Sequence, residues 1–463
     1  MLRSTNPATG AELACYPEHT AADIDAALGR AADAAPLWAA TPLAGRLAVL
    51  RRLARVFDRR ADALGRLATA EMGKPLGQAV AEVEKCARAC RYYASHAPRL
   101  LRPTPARLDR RVHPGARASV VVEPLGVLLA VMPWNFPYWQ LVRVLAPALA
   151  LGNVVVLKHA SNVSGCALAL EDAAREAGVP GGVFQTLLVG SGAVAGIIAD
   201  ERVAAVTLTG SEGAGRSIGA AAGAALKPSV LELGGSDAFV VLADADVEAA
   251  VAAAVRARVQ NNGQSCIAAK RFIVEAPVAE AFTRRLGDAF VALTVGDPLD
   301  PATDVGPLAR LDLRGDLHDQ VMRSLDAGAR LVTGGRVLDG EAHRAGAYYA
   351  PTVLAGVCEG MAAFDEETFG PLAAVVTAAD ADEAVRLANA SRFGLGGSIW
   401  TSNVSHGEAV ARRMACGSAF VNAIVASDPA VPFGGVKASG YGRELATEGL
   451  RAFANVKTVW VAG

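Results

Sequence analysis

Apolar positions recur with two different periods along the chain, and the change between them divides it. From about Ala21 to His96, as in AGRLAVLRRLARVFDRRADALGRLATAEMG, alanine and leucine return every three or four residues between arginines, which predicts amphipathic helices. A Pro- and Arg-rich passage, HAPRLLRPTPARLDRRVHPGARASVVVEP, follows and predicts an exposed arm that ends in a strand. Beyond it, short apolar or β-branched runs alternate with helical stretches: GVLLAVMP, NVVVLKHA, VFQTLLVG, AAVTLTG and PSVLELGG. Strands that read as continuous apolar runs are buried on both faces, so a parallel sheet covered by helices is expected. A second α/β series starts at DAFVVLADADVEAAVAAAVRARVQ, takes in KRFIVE, ARLVTGG, AAVVTAAD and GGSIWTSN, and runs to SAFVNA near Asn422. The C-terminal residues are glycine-rich around PFGGVKASGYGRE and finish in FANVKTVWVAG, a terminal strand. No short fixed-period repeat is present.

Composition narrows the class. The chain has 463 residues, enough for two or three domains, and 52% hydrophobic residues, enough for a large core. Its 45 basic and 46 acidic residues leave a formal charge of −1, which argues against nucleic acid or an anionic membrane as a partner. MLRSTNPATG lacks the apolar core of a signal peptide. The most apolar region is interrupted by Pro133, Pro137, Pro147, Asn135, Arg143 and Asn153, so it reads as buried core and no membrane span is expected. Seven cysteines without paired spacing suggest reduced thiols in a cytoplasmic protein. Cys86 and Cys90 stand four apart on a predicted helix, but no histidine or further cysteine completes a ligand set, and no metal is expected.

Candidate chemistry gathers at turns. VGSGAVAG (Gly190) and TGSEGAGRSIG (Gly210, Ser211, Gly215) place glycines at strand-to-helix turns, where backbone N–H groups approach a phosphate. Either is also explained by a tight turn; together they point to a dinucleotide, and the absence of a P-loop disfavours an ATPase. QNNGQSCIAAKR puts Cys266 behind a run of amides and a glycine, on a loop instead of inside an apolar segment. MPWNFPYWQ brackets Asn135 with prolines and aromatics, so its amide is a stiff donor suited to an oxyanion, or the motif is simply an aromatic corner. LELGGSD places Glu232 between leucines at a strand end, where a raised pKa suits a general base. EETFGP offers Glu367 to a ribose, or is a helix end.

PWNFP, VLKHAS, TLTGS, ELGG, NNGQSC, EETFGP and PFGGVKASGYGRE occur in the order and approximate spacing of the NAD(P)-dependent aldehyde dehydrogenase superfamily, from NPATG at Asn6 to the terminal strand. LKHASN, QNNGQSCIAAKRF and ELGGSDAFVVL most resemble short bacterial succinate-semialdehyde dehydrogenases. The resemblance implies an α/β fold with a Rossmann-like cofactor domain (1–108 and 124–234), an α/β catalytic domain (235–433) and a small bridging sheet for oligomerisation (109–123 and 434–463). It makes Cys266 the nucleophile, Asn135 the oxyanion donor, Glu232 the base for thioester hydrolysis and Lys158 a holder of the adenosine ribose that also assists with charge. Trp134, Gly190, Gly210, Ser211, Gly215, Glu367 and Phe369 then fall at the cofactor, NAD or NADP. Ser161 stands where many NAD-preferring members carry a glutamate; without that carboxylate a 2′-phosphate is tolerated, so both cofactors are expected. His159 replaces the usual proline.

For the substrate, Arg143 lies eight residues after Asn135, roughly two helical turns, so both can face one tunnel. It matches an arginine that binds carboxylate in succinate-semialdehyde dehydrogenases, with a surface or inter-helix salt bridge as the alternative, and Ser427 matches a hydroxyl on the loop lining that tunnel. Gln260 stands where some relatives carry a second arginine, and Arg258 lies two residues further back. A small-molecule aldehyde and a second copy of the chain, in a dimer or tetramer, are the expected partners. Rival readings are a glutarate-semialdehyde or broad aliphatic aldehyde enzyme, a CoA-acylating enzyme, and a relative that kept the fold without the chemistry.

Overall fold

The computed structural model describes residues 1–341 and 343–463. Its N-terminal helices start and stop at local signals. Thr20 and Asp23 form a reciprocal capping box at the head of Ala21–Ala40. Pro42 and Pro75 precede Leu43–Met72 and Leu76–Leu100, which pack as an antiparallel pair. A hairpin of Leu2–Thr5 and Glu12–Tyr16, which periodicity did not reveal, lies beside them.

Six strands form the first sheet in the order Gly440–Tyr441, Ser229–Glu232, Val203–Thr209, Val127–Met132, Val154–His159, Phe184–Leu187. The five longer strands are parallel. The chain builds outward from Val127–Met132 on one side, then crosses back to Val203–Thr209 on the other. Carboxyl ends of those two neighbours therefore flank the point where the connection order reverses, and ligands of open α/β sheets bind in that crevice.

The second sheet has seven strands: Arg330–Thr333, Thr352–Ala355, Leu372–Ala378, Ala269–Glu275, Asp237–Val241, Gly396–Trp400 and Ser418–Val421. Only the outer Arg330–Thr333 strand runs antiparallel. Separate apolar cores fill its two faces, which accounts for the unbroken burial of KRFIVE and DAFVV.

A third, antiparallel sheet joins Ala454–Val461, Arg117–Pro124 and Thr104–Ala106. Its limits differ from the expected 109–123 and 434–463. Thr104–Ala106 belongs to it, whereas the C-terminal segment divides. Val436–Lys437 pairs with Phe393–Gly394, and Gly440–Tyr441 adds to the first sheet. Gly440 has φ +106, and a Cβ there would stand 2.0 Å from the Leu231 carbonyl oxygen, so the glycine-rich segment exists to run backbone against backbone. Among the described residues no helix is long and apolar enough to cross a membrane.

Candidate active site

Three consecutive residues, Asn261 (φ 56°), Asn262 (φ 58°) and Gly263 (φ 75°), adopt the left-handed conformation ahead of Cys266. Asparagine is among the few residues that tolerate it, which explains the amide-rich turn. Gly263 is doubly required: a Cβ would lie 2.3 Å from the Gly370 carbonyl of the TFGP loop. Asn262 Nδ2 donates to the carbonyls of Gly73 and Pro307 at 2.8 Å, and its Oδ1 accepts from Gly306 N. Two buried cations complete the frame. Arg258 points inward and donates to the carbonyls of Gly263 and Ala269, and Lys270 Nζ donates to those of Ser265, Cys266 and Ala268 at 3.0, 2.9 and 3.2 Å. Lys270 also has Glu367 Oε1 at 3.7 Å, but the nearer partners of both cations are backbone carbonyls that the turn cannot pair.

Asn135 is brought to this loop from the end of Val127–Met132. Its Oδ1 accepts from Gln140 Nε2 (3.0 Å), its Nδ2 donates to Gln264 O (3.0 Å), and its carbonyl accepts from Asn261 Nδ2 (2.7 Å). An amide nitrogen carries two hydrogens, so one remains for another acceptor. Among the described residues the backbone N–H of Cys266 donates to no protein acceptor. Two unspent donors beside one thiol are the elements of an oxyanion hole.

The thiol borders a cavity of about 370 Å³ walled by Trp134, Leu233, Leu313 and Phe369, with Asn135, Gln140, Thr209, Arg310 and Glu367 as polar groups. Trp134 and Phe369 meet edge to face at 5.7 Å. Burial pushes the Cys266 thiol up to about 12, although Arg143 and Lys270 pull it back. Thiolate is the reactive form, and an acid with a raised pKa releases its proton only at higher pH. In the cofactor-free protein, alkylation of Cys266 by iodoacetamide is expected to rise about tenfold per pH unit between about pH 7 and 9 without levelling off. Peptide-level mass spectrometry separates it from exposed Cys15 and Cys358. A plateau near pH 8.5 would mean an unperturbed thiol.

The residues assigned to a dinucleotide line the same sheet edge. Lys158 ends Val154–His159, Gly190 follows Phe184–Leu187, and Gly210 and Ser211 follow Val203–Thr209. Ser211 caps the helix Glu212–Ala224 through Ala214 N. Lys158 is buried, yet among the described residues its ammonium makes no hydrogen bond or ion pair, and burial lowers its pKa. A buried ammonium without a partner, a helix N-terminus and an aromatic-walled cleft with a carboxylate fit a nicotinamide dinucleotide. Glu367 Oε1 accepts from Gly235 N at 2.9 Å. Gly215 has a packing reason: a Cβ there would stand 2.5 Å from Leu233 Cδ1, so it seats the helix on the strand and need not touch phosphate. Ser161 opens a short 3-10 turn directly after this strand. His159, in place of the usual proline, joins two segments of the site. Its Nδ1 accepts from Ala160 N (2.9 Å), so the other nitrogen carries the proton and donates to Pro137 O (2.8 Å). Burial lowers its pKa to about 4, which keeps that tautomer neutral, and the ring ties the Lys158 strand to the Asn135 loop.

Glu232 ends its strand buried, with neither carboxylate oxygen hydrogen-bonded. It does not line the Cys266 cavity. Burial raises its pKa well above the ordinary range, and Glu444 raises it further, while Arg143 and Arg443 oppose them. Arg143 departs from the expected role. Its Nε lies 2.6 Å from Glu444 Oε2, its Nη2 donates to Thr209 Oγ1 at 3.3 Å, and its guanidinium stacks on Phe433 at 4.6 Å. A buried guanidinium beside a buried carboxylate pairs with it before any exchangeable ligand, so Arg143 is committed to Glu444. Ser427 is buried, and its Oγ accepts from Lys85 Nζ (2.9 Å) and Trp139 Nε1 (3.0 Å). Sequence reasoning missed Glu444, Lys270, Lys85 and Arg310. Glu444 and Lys270 sat inside quoted motifs, GYGRE and CIAAKR; Lys85 lies outside every quoted motif.

A model of the aldehyde dehydrogenase family matches residues 1–459. The succinate-semialdehyde dehydrogenase [NADP(+)] 1 of Mycobacterium tuberculosis is 50% identical over 461 residues, covering 100% of both chains. The succinate semialdehyde dehydrogenase [NAD(P)+] of Escherichia coli K12 is 48% identical, covering 99% of this chain and 97% of its own. Among solved structures, succinic semialdehyde dehydrogenase from Streptococcus pyogenes in complex with NADP+ superposes with a TM-score of 0.96 at 38% identity, covering 100% of both chains.

Proposed function

Because the chain belongs to the aldehyde dehydrogenase family, we propose that it oxidises succinic semialdehyde to succinate with NADP+ or NAD+. The observation that carries the chemistry is Cys266 standing beside two unspent donors, Asn135 Nδ2–H and its own N–H, at the reversal point of the first sheet. The substrate follows the relatives' shared activity.

The Cys266 thiolate adds to the aldehyde carbon, and the carbonyl oxygen becomes an anion facing the two donors. Such donors contribute roughly 3–4 kcal/mol each when tested by deletion. The bound cofactor supplies the hydride acceptor that turns this tetrahedral adduct into a thioester. Lys158 and Ser161 would hold its adenosine ribose side, Glu367 its nicotinamide ribose, and Trp134 and Phe369 would wall the ring. Ser161 brings no negative charge against a 2′-phosphate, consistent with NADP(+) in the relatives' names. Glu232 takes a proton from water as it attacks the thioester carbon, the C–S bond breaks, and Cys266 leaves as the thiolate.

The test is reduced-cofactor formation from succinic semialdehyde and from butanal, which has the same four carbons without the carboxylate. We expect kcat/KM at least about a hundredfold higher for the semialdehyde. Equal values would overturn the substrate and leave the dehydrogenase.

We further infer a cytoplasmic homodimer or homotetramer. The outer strand Ala454–Val461 exposes Val456, Val459, Trp460 and Val461 on an open edge, which a second copy would cover. Light scattering behind a sizing column reads the mass; a monomer at all micromolar concentrations refutes this.

A further inference from the structure

Lys85 occupies an unusual position for a lysine. It lies on Leu76–Leu100, its ammonium is 2.9 Å from Ser427 Oγ and 4.4 Å from the centre of the Trp139 ring, and among the described residues no carboxylate stands within ion-pair distance. Asp428, next to Ser427, is exposed and accepts from Ala430 N. Ser427 Oγ receives hydrogen bonds from both Lys85 and Trp139, so the hydroxyl's own proton is left to donate. A cation without a counter-ion beside a hydroxyl with a free proton is a site that lacks an anion.

The helix carries part of this site. Trp139 and Arg143 stand four apart on Trp139–Leu151 and so share a face, while Asn135 lies in the bend that leads into the helix. Gln140, next to Trp139, and Thr209, which Arg143 reaches, both line the Cys266 cavity, so Trp139 and the Ser427 it holds stand next to that wall. Arg143 cannot close the gap while it is paired with Glu444 and stacked on Phe433.

Resting on the reading of succinic semialdehyde as substrate, we infer that Lys85, together with the Ser427 hydroxyl, anchors the carboxylate at the far end of the substrate. Burial and the neighbouring Arg143 lower the Lys85 pKa to about 8, which leaves it mostly charged at neutral pH and in want of an anion. Arg143 contributes its field and keeps the wall of the tunnel in place.

The experiment compares succinic semialdehyde with butanal in the full-length wild type, Lys85→Met and Lys85→Arg, read as the ratio of the two kcat/KM values. Methionine keeps the packing on Trp139 and removes the charge. Loss of one hydrogen bond to a charged group lowers the ratio by about 30-fold in Lys85→Met, through KM for the semialdehyde. Lys85→Arg restores most of it. An unmoved ratio, whether both aldehydes slow together or neither does, overturns the anchor and assigns Lys85 to packing. A wild-type ratio near one overturns the substrate reading itself, and is seen before any variant is made. Should Lys85→Met fail to fold, Ser427→Ala provides the second arm: a lowered ratio supports the anchor, and an unchanged ratio rejects it.

Discussion

Replacing Cys266 by alanine abolishes reduced-cofactor formation from every aldehyde, a loss of about 10⁵–10⁶-fold in kcat. The size follows from the role: without the sulfur no tetrahedral carbon forms, so no hydride departs and no thioester exists to hydrolyse. The fold should survive, because the turn around Cys266 is held by backbone and amide contacts of Asn261, Asn262, Arg258 and Lys270, and by none from the thiol. Unchanged thermal unfolding with activity below detection is the expected pair of results. Residual turnover above about one part in 10⁴ would show that another group carries the first step. It would also revive the reading of the chain as a scaffold without this chemistry.

Glu232→Gln is expected to separate the two halves of the reaction. One equivalent of reduced cofactor per subunit should form in a burst, followed by steady-state turnover reduced about 10²–10⁴-fold. Glutamine keeps the shape of the side chain but cannot take the proton of the attacking water. In the wild type, burial and Glu444 hold the Glu232 carboxyl well above its ordinary range. Its basic form therefore accumulates as pH rises, so steady-state turnover should climb from acid towards neutral pH, and the variant should lose that limb. No burst and no slowing would point to Glu444 as the base. Release of acid only when coenzyme A is added would instead favour the acylating rival.

The legible parts of this protein are those in which local sequence has a local physical consequence. Continuous apolar strands between helices announced the parallel sheets, and glycines at their ends announced the turns that follow them. Asn-Asn-Gly before a cysteine described three left-handed residues, which only amides and glycine enter readily. Pro133 and Pro137 described a stiff Asn135 loop. What stayed unread are side chains whose meaning depends on a distant partner. Arg143 has the right spacing from Asn135, and spacing along a helix sets direction, but nothing in that spacing reveals Glu444, three hundred residues on, at 2.6 Å. Lys85 was unreadable for the same reason, since Ser427 comes from the other end of the chain.

From the sequence alone came the fold class and the left-handed turn that carries Cys266, because backbone conformation and strand burial are written in short windows of residue types. Tertiary structure alone decided which cations are spent and which are available. Arg258 and Lys270 are consumed by the carbonyls of the nucleophile turn and Arg143 by Glu444, while Lys85 is left beside a hydroxyl without an anion. A charge acts through whatever lies within a few ångströms of it, and only the folded chain sets those neighbours.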